Sequence, residues 1–164
     1  MKLFLLEEIN SFAPYQVFEG DSANSLCFFS DGGFEYVISF IKDETFDDYE
    51  NIFQFLIEAK TSPRSNNDVK VGETIACIAK AFFYHHSDYI LTFVCDISDS
   101  RQAARQRLFA RWFQKFNQNK YLKFDWQVET EDCVFYASMI GCREYPLLEN
   151  YREAFSEFIS SLRK

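Results

Sequence analysis

Four charged side chains follow one another where a predicted strand gives way to a predicted helix. Asp96 and Asp99 come at the end of the strand, and Arg101 and Arg105 lie in the first turns of a helix predicted for residues 100–116. At 100° per residue, Arg105 falls within the apolar side of this helix and Arg101 falls at its edge. Positive charges near a helix N-terminus oppose the helix dipole, so we expect an anionic group to compensate them.

Two interpretations of these four residues stay open. In the first, Asp96 or Asp99 pairs with Arg101 or Arg105 and fixes the turn between strand and helix. In the second, the arginines bind an anionic ligand, because helix N-termini attract phosphate and carboxylate groups and ligands favour the carboxyl ends of strands in open sheets. The four residues are therefore the candidate ligand- or anion-binding site.

The same helix has two sides of different character. Large apolar residues repeat with helical spacing along one side, at Leu108, Phe109, Trp112, Phe113 and Phe116. Arg107, Arg111 and Lys115 project to the opposite side, where we expect them to be exposed to solvent. These three cations are the candidate interaction surface, although charged residues on a solvated helix face are also ordinary.

Composition excludes most classes of enzyme. The five glycines are spaced so that neither GxGxxG nor GxxxxGK[ST] occurs, which removes the glycine-rich phosphate-binding loops. His85 and His86 are the only histidines, so we expect no multi-histidine metal site and no metal. A nucleophilic pair would need one of them with Cys95 or Ser98, yet both histidines also fit the end of a helix. No catalytic residue is assigned, and a protein without enzymatic activity is favoured.

Charge is unevenly distributed along the chain. The net charge is −8, to which residues 1–60 contribute −9 and residues 61–120 contribute +4. An acidic chain is unsuited to general nucleic-acid binding, which needs a surplus of lysine and arginine. No apolar run reaches the ~18 residues of a membrane span, and the first apolar run is shorter than the core of a secretion signal. We therefore expect a cytoplasmic protein that binds neither nucleic acid nor membranes.

Periodicity along the chain predicts an α+β fold. Strands at 24–30 and 34–42 flank Asp31-Gly32, a strong hairpin signal, and a strand at 51–59 completes a meander. The other predicted elements are an edge strand at 15–19, a helix after the cap candidates Asn66, Asn67 and Asp68 that ends near His85-His86, strand 89–95, helix 100–116, strands 121–128 and 133–140, and a helix from Pro146. Together they predict one domain, 1–164 with its core at 24–162. Its largely antiparallel sheet has about six or seven strands and three helices, in the order β-β-β-α-β-α-β-β-α.

Residues 95–113, with the sequence CDISDSRQAARQRLFARWF, resemble the signature of a family of small bacterial proteins of unknown function. The resemblance extends over about residues 24–159 and implies no particular activity. It marks seven family-like positions: Asp96, Asp99, Arg101, Arg105, Leu108, Phe109 and Trp112. The family pattern has glycine where this chain has Ser100.

The order of elements over about residues 24–141 is similar to that of the GNAT family of acyl-CoA-dependent N-acyltransferases. That resemblance implies acetyl-CoA as the cofactor and a pyrophosphate-binding loop at 64–69, which here keeps Arg64 but neither small residue of the family pattern. It also places Phe109, which has no hydroxyl, where the family often has a tyrosine acid. Glu58 would then be the base.

The sequence as a whole favours a non-catalytic binding or interaction module without a cofactor. Its partner is expected to be another protein or a second copy of the chain, bound through the arginine-bearing turn and the basic side of its helix or through the acidic N-terminal third of the chain. A diverged acyl-CoA-dependent acyltransferase that uses acetyl-CoA is the alternative.

Overall fold

The computed structural model of this protein describes residues 3, 5–46, 48–60, 68–95 and 97–163. These residues belong to two compact units, Met1–Ser87 and Asp88–Lys164. Seven strands and four helices are present among them, and the strand pairing is largely antiparallel. The predicted α+β fold class is therefore confirmed. None of the described helices combines the length and the apolar character needed to cross a membrane.

The strands and helices follow the predicted order, with ends shifted by one or two residues. They are α1 (Leu6–Asn10), β1 (Val17–Glu19), β2 (Ser25–Phe29), β3 (Glu35–Lys42), β4 (Ile52–Ala59), α2 (Val69–His85), β5 (Ile90–Val94), α3 (Gln102–Phe116), β6 (Tyr121–Glu129), β7 (Val134–Cys142) and α4 (Leu148–Leu162). The candidate edge strand is β1. α1 has no counterpart in the predicted order, so the expected number of three helices is one too few.

The short helix α1 depends on its surroundings in the first unit. Leu5 precedes it without a capping hydrogen bond, so the sequence carries no start signal. Ile9 is buried, and the side-chain amide of Asn10 donates to the carbonyl of Val17 at 2.9 Å and accepts from its N–H at 2.8 Å. A five-residue helix needs such tertiary contacts because helix nucleation is unfavourable on its own.

In the first unit the strands pair in the order β1-β2-β3-β4, each antiparallel to the next. Gly33, with φ 79°, supplies a left-handed residue in the predicted hairpin turn between β2 and β3. Side chains alternate along β3, so that Tyr36, Ile38 and Phe40 are buried on one face. α2 packs against that face, with the ring of Phe82 stacked 4.9 Å from that of Phe40.

Side-chain hydrogen bonds tie the start of α2 to the rest of the first unit. Asp68 caps the helix by accepting from the N–H of Lys70 at 3.0 Å. The hydroxyl of Tyr15 donates to the same carboxylate at 2.5 Å and accepts from the N–H of Asp31 at 3.2 Å. Burial, above all, raises the pKa of Tyr15 to about 12. The phenol therefore stays a hydrogen-bond donor throughout the neutral range.

In the second unit the strands pair in the order β5-β7-β6, again antiparallel. Phe124 and Trp126 of β6 face α4, where the Trp126 ring lies 4.7 Å from that of Phe155 and the ring of Phe124 lies beneath the guanidinium of an α4 arginine. Lys123 and Asp125 alternate with these aromatic residues and therefore lie on the opposite face of the sheet. The two faces of β6 thus have different chemistry, apolar toward α4 and charged on the other side.

Candidate functional site

The turn between strand and helix that the sequence singles out lies within the second unit, between β5 and α3. Asp96 lies outside the residues that the structure describes, so its proposed role stays a prediction. Ser100 has φ 59°, in the left-handed region that favours glycine. A glycine at this position in the family pattern stays a prediction, although the left-handed conformation of Ser100 is one that glycine adopts without strain.

Asp99 and Arg105 form a bidentate ion pair across this turn. Arg105 Nη1 donates to Asp99 Oδ1 at 2.7 Å, and Nη2 donates to Oδ2 at 2.6 Å. The same carboxylate accepts from the backbone N–H of Arg101 at 3.1 Å. The hydrogen bonds from Arg105, with smaller help from the Arg101 N–H, lower the pKa of Asp99 to about 2. Paired guanidinium and carboxylate groups of this geometry hold both side chains in one orientation.

The two arginines of the turn differ in their surroundings. Arg105 is half-buried and engaged by Asp99, whereas Arg101 is exposed at the N-terminal boundary of α3. The pairing of Asp99 with Arg105 is the arrangement that the first interpretation of the sequence requires. Binding of a ligand by Arg101 or Arg105 stays a prediction.

The Asp99–Arg105 pair predicts a defined response to acid. A carboxyl group whose pKa falls on folding contributes stability above its unfolded pKa near 4, and the contribution disappears as the pH falls toward 2. We expect wild type to melt higher than Asp99→Asn at pH 7, with a difference that shrinks between about pH 4 and pH 2. Calorimetric melting temperatures of both proteins measure it. A difference that stays constant across this range would contradict the prediction.

α3 presents two unlike sides, neither of which is fully buried. The apolar side meets the sheet through Phe109, whose ring lies edge-on to Phe93 of β5 at 5.4 Å and beside Trp112 at 5.5 Å. All five residues of the predicted apolar stripe are only half-buried. Arg107, Arg111 and Lys115 are exposed, as expected. The basic side of the helix and parts of its aromatic side are therefore exposed to solvent.

A second group of polar side chains, which the sequence does not predict, lies on the face of the sheet opposite α4. Only 4% of the Lys123 side chain is exposed, and its ammonium forms an ion pair with Asp125. Asp125 Oδ1 also accepts from Ser138 Oγ at 2.5 Å, and Ser138 is buried. Lys123 Nζ lies 5.7 Å from the centre of the Phe93 ring, which contacts Phe109 of α3. These residues form a polar cluster beside the helix, in which the Lys123 side chain and Ser138 are buried and the Asp125 side chain is 43% exposed.

Cys95 borders the polar cluster. Its side chain is buried, and burial raises the pKa of the thiol to about 11, although the positive charges of Arg105 and Lys123 act in the opposite direction. The thiol is therefore protonated at neutral pH, and a buried protonated thiol is a poor nucleophile. In the first unit, His85 Nε2 contacts Glu8 Oε2 at 2.6 Å, which occupies this histidine at the end of α2. Both observations weigh against nucleophilic catalysis by a Cys–His pair.

The signal for the polar cluster in the sequence is ambiguous. Alternation along β6 assigns Lys123 and Asp125 to the polar face of a strand, which ordinarily faces solvent. Only the spacing of two residues between a lysine and an aspartate on one face hints at an ion pair. Whether that face is buried depends on the helix packed beside it, which local sequence does not encode.

A family model identifies relatives of the chain. Residues 67–157, which are more than half of the sequence, match the model described as Family of unknown function (DUF6169). The chain belongs to the DUF6169 family. No curated protein and no solved structure gives a significant match to it. The expected membership in a family of unknown function is confirmed.

The region that matches DUF6169 contains the turn, α3 and the polar cluster. Acyl-CoA binding of the GNAT kind stays a prediction for this DUF6169 protein, since residues 64–67 of the proposed loop lie outside the described structure. Among the residues that are described, no three His, Cys, Asp or Glu side chains come together as a metal site. The chemistry available at the site is thus that of exposed cations, half-buried aromatic rings and one ion pair between a buried lysine and a partly exposed aspartate.

Proposed function

We propose that this DUF6169 protein is a non-catalytic binding module that recognises an acidic protein segment through the exposed cations of α3. The chemistry of this helix is the observation that carries the proposal. Its 15 residues include three arginines and one lysine, but no acidic residue and no fully buried side chain. A helix that only completes a core buries an apolar stripe, whereas α3 leaves both its basic side and much of its aromatic side accessible.

The exposed cations form a stripe along α3. Arg107, Arg111 and Lys115 follow one another at i, i+4 spacing, so they share one side of the helix and span about 12 Å. Within the described part of the chain, Arg107 and Arg111 form no ion pair. The stripe is a local positive surface on a protein whose net charge is −8. Carboxylates spaced along a partner segment complement such a surface.

The Asp99–Arg105 pair lies at the N-terminal end of α3 and is consistent with the proposed binding of an acidic segment. It orients α3 relative to β5, and it neutralises the one arginine of the helix that is directed toward the turn. The guanidinium of Arg105 is therefore already paired with the carboxylate of Asp99 when a small anion approaches the turn. Trp112 neighbours the stripe and, half-exposed, supplies apolar contact to a partner at the same surface.

Charge reversal on α3 tests the proposal. The probe is a fluorescently labelled peptide of twelve residues rich in glutamate, titrated with the protein at low salt while the anisotropy is measured. We expect Arg107→Glu combined with Arg111→Glu to weaken binding at least about tenfold, since two favourable charge contacts become repulsive. Added salt should weaken wild-type binding, because exposed charges are screened.

A matched control distinguishes loss of the cationic stripe from a general change in the net charge of the protein. Lys42→Glu combined with Lys60→Glu changes the total charge by the same amount at exposed sites in the first unit, and we expect it to retain wild-type affinity. Equal loss in both double variants would overturn the proposal. It would also be overturned if single-stranded DNA bound more tightly than the peptide at the stripe, or if acetyl-CoA alone shifted the melting temperature.

A further inference from the structure

The sheet of the first unit has one face that the described helices of that unit leave uncovered. α2 packs against the face that carries Ile38 and Phe40, and α1 lies beside α2. Side chains on the uncovered face alternate with these along β3, as at Val37 and Ile41. A sheet face that water reaches ordinarily carries polar side chains. This face departs from that rule.

An apolar stripe crosses the uncovered face diagonally. Phe18 of β1 lies opposite Cys27 of β2, and Cys27 lies opposite Val37 of β3, so these three side chains form one row. Phe29 and Leu56 are diagonal neighbours of this row, close enough for large side chains to touch it. The members of the apolar stripe are Phe29, Phe18, Cys27, Val37, Leu56 and Ile41.

The apolar stripe is open to solvent along its length. The exposed fractions are 48% for Phe18, 52% for Phe29, 48% for Ile41 and 40% for Leu56. Taking about 200 Å² for a fully exposed aromatic side chain, these four residues together expose roughly 350 Å². Apolar patches of this size on monomeric proteins often mark binding sites. The area is less than half of the ~800 Å² that each subunit contributes to a standard stable interface, so face-to-face packing of two copies is disfavoured.

Carboxylates lie beside the apolar stripe. Glu35 of β3 and Glu58 of β4 are on the same face, and Asp21 follows β1. Among the described residues, Glu58 pairs with Lys60, whereas neither Glu35 nor Asp21 forms an ion pair. Burial, above all, raises the pKa of the Cys27 thiol, and the charges of Glu35 and Asp21 raise it further. The negative potential therefore extends to the middle of the stripe.

We propose that this face binds an amphipathic helix of a partner protein, with the apolar side of the helix on the stripe and its lysines and arginines beside the carboxylates. From Phe29 to Ile41 the stripe is about 20 Å long, which is three steps of two residues along the strands. A helix of about fourteen residues has this length. Its basic residues complement Glu35 and Asp21, whereas an anionic membrane surface is repelled by them. This binding does not depend on what α3 binds.

A synthetic amphipathic peptide tests the proposal. The probe has about fourteen residues, with leucines on one helical side and lysines on the other, and carries a fluorophore for anisotropy titrations at low salt. We expect it to bind, and we expect Phe18→Thr combined with Phe29→Thr to weaken binding at least about tenfold, because these rings supply about half of the exposed apolar area. Threonine retains the preference for a strand. Glutamates in place of the lysines should weaken binding at least about tenfold, since like charges then meet.

Phe12→Ala combined with Tyr84→Ala is the matched control. It removes two rings of the first unit that are 82% and 79% exposed and lie outside the stripe, so we expect wild-type affinity. Equal loss in both double variants overturns the proposal, as does a lysine peptide that fails to bind or a glutamate peptide that binds as tightly. It is also overturned if phosphatidylserine vesicles bind more tightly, or if wild type is a dimer that Phe18→Thr combined with Phe29→Thr dissociates.

Protection of Cys27 tests the site in wild type, even if the threonine variant fails to fold. Cys27 lies in the middle of the stripe and is half-buried, so a bound helix covers its thiol. With saturating lysine peptide we expect its modification by N-ethylmaleimide, located by mass spectrometry, to slow at least about fivefold, because the reaction requires access to the thiol. Cys133 of the second unit, also half-buried, should keep its rate. An unchanged rate at Cys27, or equal protection of both cysteines, overturns the proposal.

Discussion

Replacement of Asp125 by alanine is expected to lower the free energy of unfolding by roughly 2–3 kcal/mol, the largest effect of any single change near the candidate site. The Lys123 side chain is 4% exposed, so its ammonium cannot exchange the lost carboxylate for water. Ser138, which is buried, loses its acceptor at the same time. Urea denaturation followed by far-UV circular dichroism measures the change.

Replacement of Lys123, the other member of the ion pair, provides the control. In Lys123→Met the carboxylate of Asp125 keeps Ser138 as a donor and has 43% of its side chain in solvent, so we expect a clearly smaller loss than in Asp125→Ala. Combining the two substitutions should recover part of the stability lost in Asp125→Ala, because no uncompensated charge remains. Equal losses in the two single variants, or a larger loss in Lys123→Met, would contradict the burial of the ammonium.

Phe82→Ala is expected to destabilise the protein by about 3–5 kcal/mol. Phe82 of α2 is fully buried, and its ring contacts those of Phe40, Phe53 and Phe83 at centroid distances of 4.9, 5.8 and 5.4 Å. Truncation therefore removes apolar contact area and leaves a cavity bounded by aromatic rings that cannot all collapse into it. Urea denaturation at fixed protein concentration gives the change in unfolding free energy.

Tyr84→Ala is the matched control for this prediction. Tyr84 lies two residues further along α2, and 79% of its surface is exposed. The substitution removes a similar volume from the same helix without opening a cavity, so we expect a change within about 0.5 kcal/mol. If the two variants lose similar stability, the helix rather than the aromatic core is responsible, and the assignment of Phe82 to the core is wrong.

Local sequence signals predict the elements of the fold well where they act over a few residues. The Asp31-Gly32 dipeptide predicts the β2–β3 hairpin because the turn conformation is set by its own residues. Alternation of Tyr36, Ile38 and Phe40 identifies the buried face of β3 for the same reason, since side chains alternate along any strand. Asp68, one of the three predicted cap candidates, accepts from the N–H of Lys70 at the start of α2.

Predictions fail where long-range contacts supply the stabilisation. α1 has neither a capping residue nor enough length for a helical period, and it forms because Ile9 is buried and Asn10 bonds to Val17. The apolar stripe of α3 follows the predicted helical spacing, yet residues such as Trp112 remain half-exposed. Spacing shows which side of a helix is apolar. How much of that side is covered depends on the elements around it.

For the candidate site as well, local sequence predicts some features and long-range contacts decide the others. The sequence by itself determined that Asp99 and Arg105 belong to one turn and that Arg107 and Arg111 project from the opposite side of α3, because helical geometry fixes those directions. Only the tertiary structure decided that the Lys123 side chain is buried and paired with Asp125 rather than exposed to solvent. A strand's pattern distinguishes its two faces, but the elements packed on each face decide which of them water reaches.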